Sequence, residues 1–125
     1  MVKAKQLSAV IQEKTGTLNQ LCSALGNAKI NIHGMMVTSE VIRILVDNLE
    51  KASEVLDEIG IHNAVEEVLA LELDHKAGSL AAVVDKLVKR GVNIRYAYGA
   101  AAPESAKAIC VLSVTDMTEA REALR

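Results

Sequence analysis

Two glycines at matched places in the chain stand where a small anion is best held. Gly16 lies in Lys14-Thr-Gly-Thr-Leu18, and Gly78 lies in Lys76-Ala-Gly-Ser-Leu80. Each follows a run of alternating apolar residues and precedes an apolar pattern of helical spacing. A helix N-terminus presents unpaired backbone N–H groups and partial positive charge, which suits a carboxylate. Glycine has no Cβ, so a ligand can approach the backbone closely. The amides from Thr15 to Leu18, or from Ala77 to Leu80, would face that carboxylate. The same residues also have a purely structural use. Glycine forms a tight turn, Thr17 or Ser79 caps the helix, and Asn31 and Asn93 bond the local backbone at a strand start. Both readings stand on the residues alone.

Other chemistry finds little material. His33, His62 and His75 fall in three different kinds of element, with no cysteine near any of them. A zinc site needs three or four convergent ligands, so neither metal nor cofactor is expected. Cys22 and Cys110 are far apart and form no CxxC pair. Cys22 falls four residues after Leu18, on the apolar side of its helix pattern, and is expected to be a small core hydrophobe. No GxxxxGK[ST] loop and no GxSxG elbow occurs. The chain is not expected to be an enzyme.

Composition narrows the partners. Half of the 125 residues are hydrophobic and only one is proline, which excludes a disordered chain. Phe and Trp are absent, and Tyr96 and Tyr98 are the only aromatics, so Ala, Val, Leu and Ile must fill closely packed layers. Two tyrosines offer little for base stacking, and the paired aromatics of RNA-binding sheets are missing. Fourteen basic and sixteen acidic residues, interspersed, form no basic stripe for duplex DNA or an anionic membrane. No apolar run approaches the roughly 18 residues of a membrane span. Lys3 and Lys5 open the chain without an apolar leader core. A cytoplasmic protein with reduced thiols is expected.

The elements that position the glycines occur twice. An offset of 62 superposes Lys14 on Lys76, Gly16 on Gly78, Leu18 on Leu80, Leu25 on Leu87, Asn31 on Asn93 and Ile32 on Ile94. Farther on, Val46 to Leu56 matches Val114 to Leu124 at an offset of 68. The second unit thus carries six extra residues, within 99–107, where the only proline falls. In each unit the apolar period changes in the same order. Leu7, Ala9 and Ile11, like Leu69, Leu71 and Leu73, alternate as in a strand. Leu18, Leu21, Cys22 and Leu25, like Leu80, Val83, Val84 and Leu87, follow helical spacing. Gly26 and Gly91 are the expected helix stops. Two apolar strand patterns and a second helix complete each unit, giving β-α-β-β-α twice.

This doubled pattern resembles the ACT domain, a ferredoxin-like βαββαβ module that binds amino acids and regulates metabolic enzymes. The likeness rests on Lys14-Thr-Gly-Thr-Leu18 with Ile30-Asn-Ile32, and on Lys76-Ala-Gly-Ser-Leu80 with Val92-Asn-Ile94. It covers nearly the whole chain and extends to small tandem-ACT proteins without a catalytic domain. It implies an α+β fold of two ferredoxin-like units, residues 1–68 and 69–125, with an antiparallel sheet and helices on one face. In ACT domains the turn after the first strand, the Asn opening the second strand and the domain interfaces commonly contact the amino acid. Carried over by position, the ligand residues are Glu13, Lys14, Thr15, Gly16, Thr17, Leu18, Asn31 and Ile32 in the first unit. In the second they are His75, Lys76, Ala77, Gly78, Ser79, Leu80, Asn93 and Ile94. The loops differ, with Glu13-Lys14 before one glycine and Asp74-His75-Lys76 before the other, so unequal affinity is expected.

The resemblance implies a non-enzymatic regulator or sensor that binds a small amino acid; the alternative is a ligand-independent interaction subunit of an amino-acid-biosynthetic enzyme. A homodimer or larger homo-oligomer is expected from apolar strand faces. With Ile32 and Ile94 facing the helices, Met35 and Val37 fall on the opposite face, and Val41–Val46 is apolar at five of six positions. The alternative cover is the stretch 99–107. Finally, the second unit ends without a fourth strand, while residues 2–12 align with 64–74 at the offset of 62. These two segments are expected to pair antiparallel, residues 64–68 completing the first unit and 2–6 the second.

Overall fold

The computed structural model describes residues 2–12 and 16–125. Its elements are β1 (Val2–Val10), α1 (Thr17–Asn27), β2 (Ile32–Val37), β3 (Val41–Val46) and α2 (Leu49–Glu58), then β4 (Asn63–Asp74), α3 (Ser79–Lys89), β5 (Ile94–Ala100), β6 (Lys107–Val114) and α4 (Met117–Ala123). The strands hydrogen-bond in the order β2-β3-β1-β4-β6-β5. The pairs β1–β3, β2–β3, β4–β6 and β5–β6 are antiparallel. Beside β1 runs β4 in the opposite sense: the Val10 N–H donates to the His62 carbonyl at 3.0 Å, and the Gln6 side chain donates to Glu66 at 3.1 Å. Two compact units result, Lys5–Glu66 on the one hand and Met1–Ala4 with Glu67–Arg125 on the other.

Within Lys5–Glu66 the period-2 residues of the strands meet the helical stripe. Leu7 and Ala9 of β1 and Ile42 and Ile44 of β3 are fully buried against Leu21 and Leu25 of α1 and Ala52 and Leu56 of α2. In the other unit Leu69, Leu71 and Leu112 pack with Leu87 of α3 and Ala120 of α4. Each fully buried leucine contributes roughly 1.5–3 kcal/mol of apolar transfer. The second helices start alike. Asn48 accepts the Lys51 N–H at 3.2 Å and Asp116 accepts the Glu119 N–H at 3.0 Å, each satisfying one orphan donor of its helix.

Four expectations are corrected. Neither Thr17 nor Ser79 caps its helix; Gly16 and Gly78 hold those positions, with no side-chain cap. Gly26 does not stop α1 but lies inside it, and the left-handed residue beyond the helix is Lys29, at φ 63°. Cys22 is exposed, because the buried line of α1 runs through Thr17, Leu21 and Leu25, one position off the line of Leu18 and Cys22. Met35 and Val37 do not face away from the helices. A bulge between Ile32 and Gly34 shifts the register, so that Met35 opposes Ile44 and Val37 opposes Ile42. Directly opposed residues share a sheet face, and one inserted residue reverses the alternation. The same shift recurs between Ile94 and Tyr96 in β5.

Candidate functional site

The turn between β4 and α3 is built by local backbone bonds and by the extra residues of the second unit. Gly78 takes φ 92°, a left-handed backbone that glycine adopts at no steric cost. This lets the chain turn directly into α3, where the Leu80 and Ala81 N–H groups have no acceptor within the helix. The segment between β5 and β6 folds onto the turn. The His75 N–H donates to the Ala106 carbonyl at 2.9 Å, and His75 Nδ1 lies 2.9 Å from the Ser105 carbonyl. A carbonyl only accepts, so Nδ1 carries the proton in that contact. Lys107 Nζ donates to Asp74 Oδ1 at 2.6 Å. That hydrogen bond and charge hold the Asp74 carboxyl below its ordinary pKa and raise that of Lys107. The segment is thus a strap fastened to the turn at three points.

Beside the turn is a cavity of about 440 Å³. Leu73, Leu80, Ala97, Ala108 and Cys110 give it apolar walls, and Asp74, His75, Lys76 and Ser79 stand at its charged and polar end. Burial pushes the Cys110 thiol pKa up, keeping that wall neutral. A second, more open recess is bordered by Lys76, Ala77, Gly78, Ser79 and Lys107. The volume suits a small-molecule site, and an apolar lining with a few polar groups at one end is the usual composition of one.

The structure therefore gathers His75, Lys76, Ala77, Gly78, Ser79 and Leu80 around two adjoining recesses. Asn93 and Ile94 line neither recess. The Asn93 backbone exchanges hydrogen bonds with Thr115, and Ile94 packs on the core. In the first unit Asn31 binds Asp47 through its backbone N–H at 3.2 Å and its side-chain amide at 2.9 Å. Ile32 packs on its own core. Gly16 caps α1 with an ordinary right-handed backbone, Thr17 is buried and Leu18 is partly exposed. Glu13, Lys14 and Thr15 lie outside the described residues. Sequence reasoning missed Ala97, Ala108, Cys110 and Lys107 as wall and strap residues. The repeat alignment past Ile94 gives no single signal for them: Ala97 and Gly99 replace Met35 and Val37, but Tyr96 replaces Gly34 and Lys107 replaces Ser39.

Residues 2–124 match the family model described as an ACT domain pair. The chain belongs to that family. Among solved structures, the pair is similar to protein BT0572 from Bacteroides thetaiotaomicron, at 26% identity and a TM-score of 0.89, over 98% of this chain and 86% of that one. It shares its fold with the ligand-free regulatory subunit of aspartate kinase from Thermus thermophilus, at 17% identity and a TM-score of 0.67, over 97% and 86%. Aspartokinase III of E. coli, in complex with lysine and aspartate, also has this fold in part of its chain, at 16% identity and a TM-score of 0.61. The ACT pair matches only 29% of that enzyme's length. Comparison with curated protein sequences gives no match. Among the described residues, no helix is long and apolar enough to cross a membrane.

Proposed function

We propose that this ACT domain pair is a regulatory protein that binds a free amino acid and has no catalytic activity of its own. The observation that carries the reading is the cavity beside the His75–Gly78 turn, apolar within and zwitterionic at its end. A free amino acid presents an ammonium and a carboxylate on one carbon. Lys76 and the α3 N-terminus offer partners for the carboxylate, and Asp74 and the turn carbonyls offer acceptors for the ammonium. Fold neighbours named as regulatory subunits of aspartate kinase support the regulatory part. The molecule acts as a homo-oligomer in this reading, since Met35 and Val37 leave apolar surface exposed on the edge strand β2.

The test is thermal unfolding of the purified protein with each of the proteinogenic L-amino acids in turn. At 100 times its dissociation constant a ligand that binds only the native state adds about 2.7 kcal/mol of stability. A rise in midpoint with at least one amino acid is the expected result. No response to any of them would favour the ligand-independent interaction subunit instead.

A further inference from the structure

The two units can be compared position by position through their sheet registers, and the comparison shows why the second holds a cavity. Met35 opposes Ile44 and Val37 opposes Ile42. At the same places after the same bulge, Ala97 opposes Leu112 and Gly99 opposes Cys110. Three large side chains of the first unit, Met35, Val37 and Ile42, are thus Ala97, Gly99 and Cys110 in the second. All three of the small residues line the 440 Å³ cavity, together with Leu73 and Leu80. The strap contributes Ala101 to the lining and includes the stretch where the second unit is longer by six residues. Gly99 is fixed by a further constraint. A Cβ there would meet the Ile109 carbonyl oxygen, so no side chain can fill the space from that position.

From this difference we infer that the pair binds one amino acid per chain, in the second unit, and that its ligand carries an apolar side chain. The inference rests on the amino-acid reading given above and adds its selectivity and stoichiometry. Beyond the charged end the walls are aliphatic side chains, Tyr98 and a protonated thiol, with no charged group. A lysine ammonium or an aspartate carboxylate placed among them would be desolvated without an oppositely charged partner, whereas a leucine or methionine side chain gains apolar burial. At the matching register positions of the first unit stand the larger Met35, Val37 and Ile42.

Isothermal calorimetry on the full chain with L-leucine, L-methionine, L-valine and L-phenylalanine, and with L-lysine, L-aspartate and L-threonine, tests this. The expected result is a response within the apolar group, weaker or absent heat with the polar group, and one ligand per chain. Ala97→Met, which copies the first unit, should weaken binding at least tenfold, and Met35→Ala should leave affinity unchanged. Cys110→Ile fills the same cavity from the other strand and serves if Ala97→Met does not fold. Preference for a polar amino acid, two ligands per chain, or full affinity in a folded cavity-filled variant overturns the selectivity and leaves amino-acid binding intact. Silence with every amino acid overturns both.

Discussion

Lys29 and Gly91 occupy the same place in the two repeats, and both hold a left-handed backbone, at φ 63° and φ 73°. The chain needs this conformation to leave the first helix of each unit and enter the next strand. The Ile30 and Val92 N–H groups bond the Leu25 and Leu87 carbonyls at 3.0 Å, closing the helix C-termini in the same way. Only one of the two residues suits it. A side chain in this region costs about 1–2 kcal/mol, partly offset by the greater unfolded-state freedom of glycine. Gly91→Ala should therefore destabilise the protein by about 1 kcal/mol in urea denaturation, and Lys29→Gly should leave it equal or more stable. Loss of stability in Lys29→Gly would contradict this account. The first unit's turn was illegible because lysine gives no conformational signal, and Gly26, which does, sits inside α1. The glycines before the helices were legible in place though not in detail: only Gly78 is left-handed, while Gly16 is not. Cys22 misled for a different reason. The apolar stripe of α1 is wider than the strip the sheet covers, so helical spacing alone could not say which edge is buried.

At the scale of elements, the βαββα order was readable because the apolar period passes from 2 to 3.6 and back twice, and each element built on it formed close to its expected place. The bulges of β2 and β5 were not readable, since an inserted residue changes register without changing composition. They decide the site, because they bring Ala97 and Gly99 to the helix side, opposite Leu112 and Cys110. The strap after β5 is the other element that sequence marked only as extra length. Its Asp74–Lys107 bond has a definite pH signature. The folded pKa of Asp74 lies below 3.8, so its contribution is complete above that value and is lost as pH falls through the lowered one. Lys107 is raised above 10.5, so its contribution is complete below 10.5 and is lost as pH rises through the raised value. The strap is therefore fastened throughout the neutral range. A carboxyl NMR titration should find Asp74 below 3.8, and Lys107→Ala should return it to about that value. An Asp74 titration that Lys107→Ala leaves unmoved would show the strap is not held by this pair.

For the whole molecule, duplication has produced two units of one plan with unequal surfaces. The core positions repeat, as Leu7 with Leu69, Leu25 with Leu87 and Ile44 with Leu112 show. The positions beside the glycine turns do not, and that is where binding is proposed. A family of amino-acid binders was legible from the doubled turn and strand-opening motif; the cavity of the second unit was not, because volume at Ala97, Gly99 and Cys110 has meaning only once the sheet register is known. The account stands or falls on a ligand in the second unit. Amide chemical shifts of the ¹⁵N-labelled protein, followed while L-leucine is added, test that most directly. The account predicts saturable shifts centred on the amides of His75, Lys76, Gly78, Ser79 and Leu80, on the strap, and on Ala97 and Cys110, with Leu18, Asn31 and Met35 little changed. Shifts centred on Leu18, Asn31 and Met35, or none anywhere at millimolar leucine, would contradict it.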